Sequence, residues 1–366
     1  MISADSHSVI PGDLFETRLD KKLRTRAPRV ESRADADYLV VEGLSPARYD
    51  GALGSMAETK LAGEVIRPER LYRYAEQRAG ANDPGARIAD QDLDHVRAEV
   101  VYPSWLTRWC IADLELRAAV MRTYNDWFAE TFLPSPRFLG AAELPVSLAD
   151  LSLAIGEAER SAARGFGTLM IPHHADDPYG DPAYAPLWRA LEDIGLPVAI
   201  HVGSGVRSMH QGHSTHAANW NAAATLSKVG LNSAAVELIW GAVPVRHPKL
   251  RFVMAEGGIG WIAFTLNYMD HWWKDHKLRI EPRLDELPSE IFARHFWATF
   301  EDDRPGILTL PLLNADHMMW GNDYPHTEGT WPRSREQIAR DMGDLPEALR
   351  WQLVRDNAAS LYGLGD

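Results

Sequence analysis

Short apolar runs bounded by turn residues recur along the chain, and between most of them the apolar positions shift to helical spacing. Eight runs read as buried strands: residues 2–6, 98–102, 138–142, 167–171, 198–202, 251–255, 296–300 and 318–322. They are nearly continuous rather than alternating, which suits a parallel sheet covered on both faces. The segments between them carry helix punctuation. Pro145-Val146-Ser147 leads into LADLSLAIGEAERSAARG, with Ser147 and Asp150 in capping-box spacing and Gly165 as a stop. Gly180-Asp181-Pro182 opens a helix through AYAPLWRALEDIG, closed by Gly195 ahead of Pro197. The last helix runs through PEALRWQLVRDNAASLYG. Eight strands alternating with helices predict an α/β fold of the (β/α)8, or TIM, barrel type. A doubly wound open sheet is the alternative. It usually carries a glycine-rich phosphate loop after its first strand, and Ser6-His7-Ser8-Val9-Ile10-Pro11 has no glycine.

The first two runs stand nearly 90 residues apart, about twice what a plain barrel needs. Residues 10–90 are charge-rich, with one hairpin-type run at Tyr38-Leu39-Val40-Val41. The pattern predicts one domain over 1–366 with an insertion after strand one. That insertion lies over or beside the C-terminal face of the barrel, or serves as an oligomerisation arm.

Composition narrows the function classes. Formal charge is −13, from 38 basic and 51 acidic residues, which disfavours nucleic acid as a partner. No basic run suggests a membrane surface. The single cysteine, Cys110, excludes an intrachain disulfide framework and any multi-cysteine zinc site. No signal-type leader and no stretch of 18 apolar residues is present, so the expected location is the cytoplasm.

The chemistry lies at the strand ends. Asp5-Ser6-His7 places a carboxylate and an imidazole on one side of the first strand, because positions i and i+2 share a face. His201, Glu256 and Asp323 end or follow the fifth, sixth and eighth runs. In a barrel, C-terminal strand ends meet, so these side chains converge as candidate ligands of a divalent metal. Each has a plainer reading taken alone: Asp5 caps a turn, His7 is a satisfied buried histidine, Asp323 caps the turn into Tyr324-Pro325-His326. His173-His174 follow the fourth run, and His174 is a candidate substrate contact. His210, His213 and His216 fit a second metal site only loosely. Glu301-Asp302-Asp303 reads as part solvated and part cap. Trp105, Trp109, Trp220, Trp261 and Trp331 fall near strand ends, and Trp105 and Trp261 are taken as walls of a substrate pocket. Arg67, Arg207 and His174 are candidate carboxylate binders.

Asp5-Ser6-His7, LPVAIHVGSG, HPKLRFVMAEGGIGW, Trp320-Gly321-Asn322-Asp323-Tyr324-Pro325-His326 and the ending Asp356-Asn357-Ala358-Ala359-Ser360-Leu361-Tyr362-Gly363 together resemble the amidohydrolase superfamily. The resemblance is to its amidohydrolase-2 branch, which includes aminocarboxymuconate-semialdehyde decarboxylase and the resorcylate and carboxyvanillate decarboxylases. It implies a distorted barrel with one divalent metal, most often zinc or manganese, held by Asp5, His7, His201 and Asp323. Two carboxylates and two imidazoles also suit iron or cobalt. It further implies a homodimer or larger homo-oligomer acting on a small molecule. The decarboxylases of the branch place a catalytic histidine where this chain has Glu256. That leaves Glu256 as a further ligand, a general acid/base, or a partner behind the ligands.

Three functions follow. The first is non-oxidative decarboxylation of an aromatic or unsaturated acid, with Asp323 or Glu256 protonating the carbon that loses CO2. The second is hydrolysis of an amide, lactone or activated C–C bond, with Asp323 taking the proton of water. The third is a non-catalytic metal-binding homologue, against which the intact ligand set argues.

Overall fold

The computed structural model describes residues 1–49, 73–104, 106–205 and 217–364. Strand β1 (Ile2–Ser8) is buried along its whole length. Strands β2 (Arg29–Ser32), β3 (Asp37–Val40) and β4 (Ala47–Arg48) form a separate antiparallel sheet inside the predicted insertion. The remaining strands are β5 (Ala98–Pro103), β6 (Phe138–Glu143), β7 (Thr168–His174), β8 (Val198–Gly205), β9 (Phe252–Ala255), β10 (Phe296–Phe300) and β11 (Met318–Trp320). They pair in parallel in the order β1-β5-β6-β7-β8-β9-β10-β11, one strand per expected apolar run. Helices between them make this the expected α/β barrel.

The strands are apolar on both faces because both faces are covered. Inside, Ala4, Val100, Ala141, Met170, Ala199, Val253 and Met319 form one buried cluster filling the barrel. Outside, Val101, Ala142, Leu169, Ile171, Ile200, Met254 and Ala298 pack against the helices. At about 25 cal/mol per Å² of buried apolar surface, these two layers dominate the folding energy.

The ring closes where β11 returns to β1. The His7 N–H donates to the Tyr324 carbonyl at 2.6 Å, and the Asp323 N–H to the Asp5 carbonyl at 2.9 Å. Gly321 permits this approach: a Cβ there would lie 2.6 Å from the Asp5 Cβ and 2.9 Å from its backbone nitrogen. Arg87, fully buried on the helix Pro84–Leu93, pins the same seam. It pairs with Glu99 at 2.5 Å and donates to the His7 carbonyl at 2.6 Å.

Some boundaries differ from the sequence reading. β7 and β8 run on to His174 and Gly205, through residues that read as loop. β11 stops at Trp320, and Asp323 takes a left-handed conformation (φ 52°). The helix after β6 is capped by Asp150, whose carboxylate accepts from the Ser152 N–H at 3.0 Å. Ser147 stands ahead of the helix, which begins at Leu151: its hydroxyl accepts from the Ala149 N–H at 3.3 Å and donates to Asp176 at 2.7 Å. Gly195 closes its helix at φ 77°, as expected. Among the described residues, no helix is long and apolar enough to cross a membrane.

Gly321→Ala tests the seam. The added methyl meets the Asp5 Cβ and the Asp5 backbone, none of which is a flexible side-chain end, so it should cost about 1–3 kcal/mol of stability. Thermal unfolding would show a lowered midpoint. An unchanged midpoint would mean the seam is looser than described.

Candidate metal centre

Five ionisable side chains meet at the C-terminal mouth of the barrel, all nearly or fully buried. β1 supplies Asp5 and His7 and β8 supplies His201. Glu256 and Asp323 sit one and three residues past β9 and β11. The Nε2 of His7 lies 3.2 Å from Asp323 Oδ1, 3.4 Å from Glu256 Oε2 and 3.8 Å from Asp5 Oδ1. The Nε2 of His201 lies 3.0 Å from Glu256 Oε2 and 3.5 Å from Asp5 Oδ1. Glu256 (φ 64°) and Asp323 (φ 52°) both hold left-handed backbone, strained for residues with a Cβ. That turn swings each carboxylate off its strand direction and back over the barrel axis.

Neighbouring groups aim the donors. The Thr299 hydroxyl on β10 donates to Asp5 Oδ2 at 2.7 Å and accepts from the Glu256 N–H at 2.7 Å. The Nδ1 of His201 lies 2.8 Å from the Val202 carbonyl. That contact places the proton on Nδ1 and leaves the Nε2 lone pair facing the cluster. After these bonds, Asp5 Oδ1, both ring nitrogens of His7, His201 Nε2 and both Asp323 oxygens remain buried with no hydrogen bond of good geometry; the close approaches among His7, His201, His326 and the three carboxylates are ionic contacts only. Unsatisfied buried donors and acceptors are costly and rare. Four side chains doing this at one point make a group that could hold a divalent cation. The candidate ligand atoms fall into two overlapping groups, each within 4.8 Å: Asp5, His7 and His201, and His7, Glu256, Asp323 and His326.

Electrostatics sort the roles. Burial works against charge on His7, but bonds to Asp323 and Glu256 outweigh it and raise its pKa to about 9. Burial would raise Asp323, yet His326 beside it, with Nδ1 2.9 Å from Oδ1, brings it down to about 2. Burial likewise opposes ionisation of Glu256, and the neighbouring Lys228, His201 and His7 overcome it, holding its carboxyl well below the usual range. Lys228 Nζ stands 3.2 Å from Glu256 Oε1, 3.4 Å from Glu301 Oε2 and 3.8 Å from Glu328 Oε1. Glu301 goes the other way: burial, only partly offset by Lys228, raises it well above a normal carboxyl.

The other expected contacts separate. Asp323 caps no helix; its carboxylate faces His7 and His326. His174 is exposed and stacked on His173, centroids 3.9 Å apart. His173 is the buried one of the pair, and burial lowers its pKa to about 4. Trp261 donates to the Gly258 carbonyl at 2.9 Å and meets Phe292 edge-on, in the helix layer. Trp109 and Trp331 are core residues that donate to the Leu144 and Asp90 carbonyls. Asp303 is a cap, Asp302 a surface partner of Arg340, and Glu301 the part-buried neighbour of Lys228. Trp105, Arg67, Arg207, His210, His213 and His216 lie outside the described residues, as does the side chain of Trp220. Lys228 and Thr299 were not singled out in the sequence. Only a lysine on the helix that follows the His201 strand, and a threonine inside an apolar strand, signal them.

The raised His7 pKa has two consequences of opposite sign. In metal-free protein, His7 stabilises the fold fully below its unfolded value of 6.5, and that contribution is lost as pH rises through about 9. A metal must displace the same proton, so its affinity should rise with pH up to about 9, by up to roughly tenfold per unit. Chelator-competition titrations and melts of metal-free protein from pH 6.5 to 9 should therefore run in opposite directions. Metal affinity that is flat across that range would exclude His7 as a ligand.

Comparisons with known proteins agree with this architecture. The family described as amidohydrolase matches residues 110–364. An amidohydrolase from Mycobacterium avium subsp. paratuberculosis K-10 superposes with a TM-score of 0.75 at 24% identity, covering 100% of this chain and 98% of that one. The 5-carboxyvanillate decarboxylase of Sphingomonas paucimobilis gives 0.72 at 20% identity, with 100% and 99% covered. A dihydroxybenzoic acid decarboxylase from Polaromonas sp. JS666, solved with manganese and the inhibitor 2-nitroresorcinol, gives 0.67 at 17% identity, with 99% and 96% covered. No curated protein sequence matches. At these identities the solved structures speak for the fold, while the family match spans well over half the chain. The chain belongs to the amidohydrolase family of metal-dependent enzymes.

Proposed function

We propose that this protein is a metal-dependent hydrolase of an uncharged carbonyl compound, an amide, lactone or activated C–C bond. The observation that carries this reading is the charge balance of the site. Asp5, Glu256 and Asp323 bring three carboxylates and Lys228 brings one ammonium. With a doubly charged cation these four groups sum to zero, and Glu328 near Lys228 adds no positive charge, so the described residues offer no net attraction to an anionic substrate. Among the described residues, the one cation at the mouth, Lys228, already faces three glutamates.

Asp5, His7, His201 and Asp323 would hold the ion, with Glu256 adding an oxygen beside the two imidazoles. Manganese or zinc suits this mixed oxygen and nitrogen set, and manganese occupies the solved Polaromonas relative. When bound, it supplies Lewis acidity and lowers the pKa of water toward about 7. The chain's own residues do the rest. Asp323, ionised and with Oδ2 unpartnered, takes the proton of the attacking water and returns it to the leaving group. His326 fixes the rotation of that carboxylate through Oδ1. Lys228 keeps Glu256 ionised and turned so that only Oε2 faces the imidazoles.

A second reading, decarboxylation of an aromatic or unsaturated acid, draws on the likeness to the two decarboxylases. It needs a proton donor to carbon where Asp323 and Glu256 are both held ionised, and a counter-charge for the substrate carboxylate.

Oxygen-18 water separates the two. Screening neutral amides and lactones beside aromatic acids should give turnover only with the neutral set, with label in the product carboxylate. CO2 release from an acid, without label, would reverse the assignment. Asp323→Asn should lower kcat by roughly 10²–10⁴-fold if that carboxylate moves the proton. Lys228→Met should move the acidic limb of the pH–rate profile to higher pH, because Glu256 loses the charge that keeps it ionised. Lys228→Arg should restore it; a limb that stays put in both variants would remove Lys228 from the account.

A further inference from the structure

Thr299 carries the only hydroxyl of strand β10, and it is fully buried. Its register partner on β11 is Met319, and the barrel filling on this side, Val253 and Ala255 included, is apolar. Burying a hydroxyl is costly unless it is hydrogen-bonded. For packing alone, valine has the same shape without that cost. The hydroxyl has two partners, and both belong to the metal centre. Its single proton goes to Asp5 Oδ2 at 2.7 Å, because the other partner, the Glu256 N–H, is itself a donor, also at 2.7 Å. Asp5 is thus tied at one oxygen, and the left-handed Glu256 (φ 64°) at its backbone nitrogen.

The carboxylates of the centre share a pattern. On Asp5, Thr299 takes Oδ2, and the imidazoles of His7 and His201 stand 3.8 and 3.5 Å from Oδ1. On Glu256, Lys228 Nζ lies 3.2 Å from Oε1, and the same imidazoles stand 3.4 and 3.0 Å from Oε2. On Asp323, His326 Nδ1 lies 2.9 Å from Oδ1 and Oδ2 has no partner. Each carboxylate therefore has one oxygen to give an ion. With the two imidazoles that makes a mixed set of oxygen and nitrogen, which suits manganese or zinc. Calcium instead takes about six to eight oxygens and often grips a carboxylate by both.

The three restraints are not equal. Lys228 is 33% exposed and His326 14%, so solvent competes for each. Thr299 and Asp5 are both fully buried, and their bond is the shortest of the three. We infer that Thr299 sets the metal preference of this centre: by occupying Asp5 Oδ2 it holds that ligand to one oxygen and turns the site against calcium. The inference rests on the metal centre and holds for either reaction.

Calorimetric titration of metal-free protein with manganese and with calcium tests it. In Thr299→Val, manganese affinity should fall about 10–100-fold, the usual cost of losing a partner behind a ligand. Calcium affinity should hold or tighten, because Asp5 then has both oxygens to give. The preference for manganese should therefore drop by about tenfold or more. Thr299→Ser keeps both bonds and should keep the preference. A residue that only packs would weaken both ions alike or neither. The wild type gives a second arm that needs no variant to fold: in manganese-loaded crystals Asp5 Oδ2 should stay on the Thr299 hydroxyl, with only Oδ1 on the ion. An unchanged preference in Thr299→Val, a preference lost in Thr299→Ser, or both Asp5 oxygens on the ion in the wild type would each overturn the proposal. A wild type that binds neither ion would overturn the metal centre and this inference together, whereas the oxygen-18 result bears on the reaction alone.

Discussion

The structure depends on the seam where the last barrel strand meets the first. Asp323 donates its backbone N–H to Asp5, and His7 donates its own to Tyr324. These bonds close the sheet. They also set Asp5, His7 and Asp323 side by side at one end of the barrel, although their sequence separation exceeds 300 residues. Gly321 allows the close approach and Arg87 locks it from behind. Fold closure and site assembly are thus one event, which makes this seam intolerant of added volume.

The site then follows from a conflict. Burial disfavours charge, and charge is nevertheless concentrated there: three carboxylates, two imidazoles and a lysine within a few ångströms. Hydrogen bonds from Thr299 and to Val202 settle some of the polar atoms and leave the others pointing at a common centre. A divalent cation held there would relieve what the protein alone does not, and Lys228 offsets part of the carboxylate charge. The left-handed backbone at Glu256 and Asp323 belongs to the same arrangement, since strain of this kind persists only where surrounding structure enforces it.

Much of this was legible in the sequence, and the reasons are physical. Short apolar runs bounded by turn residues and separated by helical spacing suit strands covered on both faces, so the barrel could be read from spacing. An aspartate and a histidine at the end of such a run stand out because the run itself is buried. Lys228 lacks that contrast: on a helix it looks like any solvated lysine, and only the fold brings it to Glu256. Glu301 was masked by the surface Asp302 and the helix-capping Asp303 that follow it. The exchange of His173 for His174 arose where β7 runs on past Pro172, so that alternation continued for two more residues than the composition suggested. Thr299 gave no signal because a buried threonine in a strand is ordinary.

The central claim is that the unpartnered donors of Asp5, His7, His201 and Asp323 form one metal site. Anomalous diffraction at the manganese edge, from crystals of manganese-loaded protein, tests it most directly. The account predicts a single peak about 2.0–2.4 Å from His7 Nε2, His201 Nε2 and one carboxylate oxygen each of Asp5 and Asp323. A peak elsewhere, or none at this point in fully loaded crystals, would contradict it.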